Sequence, residues 1–330
     1  MRRPDIDLMK TRNHTANFIE QLSGKRHARR ALSICVLLSL LATAGCGEKK
    51  KEFVIPTEQG TRDNTSVCLT TEAPGTLVFE GEGYYLDYSN ASEGYICAKY
   101  TGNSPKVKFQ ITLPNRSLYT YNLTDQLAAF PLSSESGTYG FGIYENMDKN
   151  QYSTLMFEEA DITIENEFGA YLYPNQYVDF EASDPPIALG EELAYSANND
   201  LDVVSNVYNY IICNIAYDKE EAESVQSGYL PDINDTLENK KGICLDYSAL
   251  MASILRSQRI PTHMEVGYAG AAYHAWISTY ITDIGWVNGI IQFDGTDWEL
   301  MDPTFGASTG EKKLKQYIGD GANYKTKYIY

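Results

Sequence analysis

The sequence predicts an α+β domain at the C-terminal end of the chain, preceded by an antiparallel β-sandwich. Three observations predict it. From about residue 63 to 182 the apolar period is two: Val107, Phe109 and Ile111 alternate with Lys106, Lys108 and Gln110, and Tyr139, Phe141 and Ile143 alternate with glycines. Beyond Ser183-Asp184-Pro185-Pro186 the period lengthens to that of helices. Strand-like runs then resume from Thr262, as expected when helices are followed by an antiparallel meander.

The elements follow in order. Residues 1–45 read as an export signal: Lys25, Arg26, Arg29 and Arg30 precede the apolar run Ala31 to Ala42, and small residues lead to Cys46. That run is shorter than a comfortable membrane span. Thr43-Ala44-Gly45-Cys46 resembles the bacterial lipobox, with Thr43 where leucine is usual. The resemblance implies a diacylated Cys46 at the mature N-terminus, on the extracellular face of a bacterial cytoplasmic membrane; an ordinary secretory signal is the alternative. Residues 46–62, with Pro56, Gly60 and several charges, read as a polar linker. The sandwich is expected over 63–185, its short strands separated by turn signals such as Ala73-Pro74-Gly75, Pro114-Asn115 and Ser136-Gly137. The α+β domain is expected over 186–330. Val204, Val207, Tyr208, Ile211 and Ile215 form one stripe of a helix spanning Asp202 to Tyr217. Tyr247, Leu250, Met251, Ile254 and Leu255 form the apolar face of a second, from Cys244 to Arg256. Strand-like runs follow at Thr262 to Tyr268, Ala272 to Ile281, Trp286 to Phe293 and Trp298 to Met301, with Asp294-Gly295 as a hairpin turn.

Charge narrows the function classes. The chain has 27 basic and 44 acidic residues, a net charge of −17; removal of residues 1–45 leaves 19 basic and 41 acidic, a net charge of −22. Such a surface repels nucleic acid, anionic lipid and polyanionic wall polymers, so a nucleic-acid role is excluded and any membrane contact falls to the lipid anchor. Six cysteines are present. Cys35 lies in the signal and Cys46 is the lipidation candidate. Cys213 reads as helix packing, and Cys68 and Cys97 could pair in an oxidising exterior. No metal-ligand spacing and no cofactor motif is present.

The remaining cysteine is placed for chemistry. Gly242-Ile243-Cys244 reads as a turn delivering a cysteine onto the first turn of a helix, where free backbone N–H groups and the helix dipole favour a thiolate. His274 lies in the strand-like Tyr273-His274-Ala275-Trp276, and Asp302 ends another such run. Cys244, His274 and Asp302 have the makings of a nucleophile, its base and the carboxylate that orients the base. After residue 46 the only other histidine is His263, read as structural.

Lys241-Gly242-Ile243-Cys244-Leu245-Asp246-Tyr247, then Leu250, Arg256, Ile260-Pro261 and Gly267-Tyr268, resembles the bacterial transglutaminase-like domain. His274-Ala275-Trp276 is similar to its base motif and Asp302-Pro303-Thr304 to its acid motif. Ile243 stands where a small residue is usual, and Ile277-Ser278 where a polar residue and a glutamate are common. The resemblance covers about residues 190–330 and implies a papain-like fold, a Cys-His-Asp triad and acyl transfer on a protein or peptide amide. It leaves open whether water or an amine resolves the acyl-enzyme. The alternative is a catalytically silent binding or assembly protein of the bacterial cell surface.

Overall fold

The computed structural model describes residues 53–269, 272–287, 291–293, 298–300 and 324–330. The described residues all belong to one compact unit. Its first part is a sandwich of two four-stranded antiparallel sheets. One has the order β1-β2-β3-β6, with β1 Val78–Gly81, β2 Tyr84–Asp87, β3 Tyr95–Tyr100 and β6 Ala128–Pro131. The other has the order β5-β4-β7-β8, with β4 Val107–Thr112, β5 Leu118–Leu123, β7 Gly137–Asp148 and β8 Gln151–Ile162. The period-two pattern does what its physics requires: Val107, Phe109 and Ile111 are buried while their alternates are not. Phe109 of one sheet meets Phe130 of the other edge-to-face, with centroids 4.9 Å apart.

Helical structure begins at α1, Pro185–Ala194. The Pro-Pro pair that marks the change of period is the first turn of this helix, where proline's missing N–H has no partner to lose. Helix α2 is Asp200–Asn214, its N-cap Asn199 accepting from Asp202 N–H at 3.0 Å. It ends three residues before its expected limit. Ile215 is extended, and Ala216–Tyr217 (β9) pairs in parallel with Lys241–Gly242 (β10), so the backbone groups of β9 are satisfied across a strand pair and not along a helix. Two short helices, α3 Lys219–Ser224 and α4 Ile233–Asn239, separate β9 from β10. Helix α5, Cys244–Ser257, then runs through the core.

The last layer is an antiparallel sheet of order β13-β12-β11-β16, with β11 Thr262–Ala269, β12 Ala272–Ile281, β13 Gly285–Val287 and β16 Tyr324–Ile329. A hairpin pairs β14 Ile291–Phe293 with β15 Trp298–Leu300; its connection, including Asp294-Gly295, lies outside the described residues. Met264, Val266, Ala275 and Ile277 are buried in the same core as the α5 residues Leu250, Met251 and Ile254. Their alternates His274, Trp276 and Ser278 occupy the other face, where the Ser278 hydroxyl donates to buried Glu265. His263 is packed rather than free, stacked on Trp286 at 3.6 Å and against Tyr171 at 4.0 Å.

Two features tie the halves together. Sandwich, helices and last sheet contribute to a single continuous core. Fully buried Arg256 donates to the carbonyls of Tyr173 (2.8 Å), Thr262 (3.1 and 2.9 Å) and Tyr330 (2.8 Å), joining α5, the start of β11, the residue after β16 and the chain leading to α1. The polar segment before the sandwich is also held. Gly60 N–H donates to Tyr195 O, Arg62 N–H to Ala197 O and Val67 N–H to Ser257 O, and Arg62 pairs with Asp200 at 2.8 Å. Cys68 and Cys97 are free thiols; the pKa of buried Cys97 is pushed up to about 12 by desolvation. No helix among the described residues is long and apolar enough to cross a membrane.

Candidate active site

One carboxylate assembles the cysteine turn. Gly242 ends β10, Ile243 is the extended N-cap (φ −96°, ψ 179°) and Cys244 is the first residue of α5. Isoleucine has no oxygen with which to cap a helix. Asp246 works in the reverse direction: its Oδ2 accepts Ile243 N–H at 2.7 Å, and its Oδ1 accepts the Tyr229 hydroxyl at 2.7 Å. The returning side chain fills the space beside residue 242, where a Cβ would lie 2.8 Å from the Asp246 Cβ. Glycine is required there by close approach.

Cys244 and His274 line one cavity of about 590 Å³. The floor includes Ile243 and Leu245 from the turn, one wall is residues 225–229, and Tyr177, Tyr328 and Tyr330 provide an aromatic side. Thr120 of β5 lines it as well, so the sandwich supplies part of the rim. Pleating puts Ala275, not His274, on the α5 side of β12; His274, near the start of that strand, still opens into the cavity. The thiol makes its contact with the strand at the adjacent residue, through Ala275 N–H.

Electrostatics differ from the sequence expectation. The N–H groups of Ala275, Leu245 and Cys244 itself favour a thiolate, but burial outweighs them and holds the Cys244 thiol above its ordinary range. His274 is 8 % exposed, and burial pushes its pKa down to about 4. At neutral pH the cavity therefore holds a thiol and a neutral imidazole. Helix-end donors act on one side of the sulfur, whereas loss of water acts all round it.

Tyr217, missed in the sequence, joins the site. It lines the cavity, and its hydroxyl is pushed up to about 12 by burial, then by nearby Cys244 and Asp246. Its place follows from the β9–β10 pairing, which sets Tyr217 opposite Gly242, and nothing in its local sequence signals that. Asp302, with Pro303 and Thr304, lies outside the described residues, as does Cys46.

Residues 187–289 match the family model of the transglutaminase-like superfamily, a span that contains both Cys244 and His274. The chain thus carries a transglutaminase-like domain. Remote likenesses to solved structures accompany the match. Two of these are proteins named as putative proteases. One is from Parabacteroides distasonis (17 % identity, 30 % of this chain and 22 % of that one, TM-score 0.24). The other, a cysteine protease by name, is from Cytophaga hutchinsonii (15 %, 64 % and 67 %, TM-score 0.30). A third is red sea bream transglutaminase (14 %, 64 % and 48 %, TM-score 0.25). The chain spans about a fifth of the first of these and about half of the third, and nothing about its activity follows from them. No curated protein matches the chain. The family match and a cavity holding both cysteine and imidazole support a cysteine-dependent enzyme.

Proposed function

We propose that this protein is an exported, membrane-tethered cysteine acyl-transfer enzyme acting on proteins or peptides, with Cys244 as nucleophile, His274 as base and Asp302 as the carboxylate that orients it. The observation that carries the reading is the shared cavity of Cys244 and His274 beside the start of α5. Because the imidazole is neutral and the sulfur protonated, the proton moves as the bond forms. His274 takes it from Cys244 while sulfur attacks the amide carbon, and then gives it to the departing amine. The developing oxyanion sits where backbone N–H groups gather at the helix start, and the Tyr217 hydroxyl is a further donor within the cavity. Water or a primary amine then attacks the thioester, its proton passing through His274 back to sulfur. Water yields a peptidase or amidase, an amine a transamidase.

Lipid on Cys46 provides the tether, and two acyl chains exceed the single-chain threshold for stable anchoring. An electrophilic glutamine-like or peptide probe should label Cys244 in the native protein and spare Cys244→Ser. Faster labelling of Cys213 than of Cys244 refutes the reading. Burial of His274 and the raised pKa of half-buried Cys244 favour a second reading, a catalytically silent binding or assembly protein, for which Cys244 stays unlabelled.

A further inference from the structure

We propose that Tyr229 and Asp246 form a positioning clamp for the Cys244 turn, and that β5 of the sandwich steadies this clamp through Gly228; the proposal rests on the reading of Cys244 as nucleophile. Asp246 is buried, and both of its oxygens are engaged, one by the backbone N–H just before Cys244 and the other by Tyr229. Ile243 cannot cap the helix itself, so this carboxylate is what fixes the entry of the chain into α5. Tyr229 in turn belongs to the segment 225–229 that walls the cavity. The same hydroxyl therefore connects the wall that a substrate touches to the turn that presents the sulfur.

The wall is seated on the sandwich. Gly228 has φ +93°, a backbone conformation that strains any residue with a side chain, and a Cβ there would lie 2.6 Å from the Asn122 side-chain nitrogen. Asn122 is itself pinned: its side-chain oxygen accepts from Lys108 Nζ at 2.6 Å and its carbonyl from Gln176 Nε2 at 2.9 Å. A contact path thus runs from Lys108 and Asn122 through Gly228 and Tyr229 to Asp246, Ile243 and Cys244. Its members are positioning residues, since they act on the sulfur through the turn.

The test is the rate of iodoacetamide alkylation of Cys244 against pH, mapped by mass spectrometry on the full chain, with thermal unfolding recorded for each variant. Tyr229→Phe removes one donor, and Gly228→Ala lifts an exposed wall residue off Asn122. Each should lower the plateau rate about tenfold, in line with the sensitivity of reactive geometry to small misplacement. Asp246→Asn keeps an oxygen for Ile243 N–H and turns its amide N–H toward the Tyr229 hydroxyl oxygen, so the clamp holds while a negative charge near the sulfur is lost; it should retain most of the plateau rate and shift the alkylation midpoint to lower pH. Wild-type rates and an unmoved midpoint in all three variants overturn the clamp. If the wild-type Cys244 alkylates no faster than Cys213, the nucleophile reading beneath it fails instead, whatever the variants do.

Discussion

Tyr330→Ala tests whether the sandwich and the α+β half stand or fall together. Tyr330 is 4 % exposed, with its ring 4.2 Å from that of Tyr177, 5.8 Å from Tyr119 and 6.0 Å from Tyr121. Tyr119 and Tyr121 belong to β5, whereas the backbone of Tyr330 pairs with Met264 of β11 in both directions. The substitution leaves that backbone pairing and the Arg256 contact in place and removes only the ring. Truncating a buried aromatic to alanine costs about 3–5 kcal/mol, and the rigid neighbouring rings limit collapse, so about 4 kcal/mol is expected. For a body of this size that corresponds to a fall in Tm of roughly 8–16 °C. Urea unfolding followed by tryptophan fluorescence and by far-ultraviolet circular dichroism is the assay. All three tryptophans lie in the α+β half, so the fluorescence reports that half alone. Both probes should move together. A loss below about 1 kcal/mol, or a fluorescence transition that shifts while the strand signal stays, refutes the shared core.

Three further outcomes follow from the site and its packing. Gly242→Ala drives a methyl group against Asp246 and should reduce Cys244 alkylation by about an order of magnitude with the fold retained; unchanged reactivity means the turn is softer than its packing implies. Because His274 is held down to about 4, the base is neutral above that pH, and the acid limb of kcat/KM should fall near pH 4; a limb near 6.5 contradicts the burial argument. His263 is held down further, to about 3. Below pH 6.5 the unfolded chain binds protons that these two folded-state imidazoles refuse, so the urea midpoint should decline as pH falls from 6.5 toward 4.

Much was legible in the sequence because it is local. Alternation at Val107, Phe109 and Ile111 has only one way to bury its apolar face, and it became a buried sandwich strand. The apolar face of α5 and the glycine before Cys244 were readable because helix period and turn packing act within a few residues. Other features were silent for the opposite reason. β16 sits at residues Tyr324–Ile329 and pairs with β11, far earlier in the chain, and no periodicity announces that partner.

Within the site, residue types were determined by sequence and their states by tertiary structure. Cys244 and His274 could be picked out because few thiols and imidazoles were available and because each lies beside a recognisable turn or strand. Whether the sulfur rests as thiol or thiolate could not, since desolvation is summed over every atom that excludes water, from the aromatic side of the cavity to β12. Tyr217 reaches the site only through a parallel pairing of β9 with β10, and Thr120 only because β5 packs beside the cavity. The sequence by itself determined which groups could do chemistry; the packing of distant strands decided their protonation, their surroundings and the shape of the cleft they share.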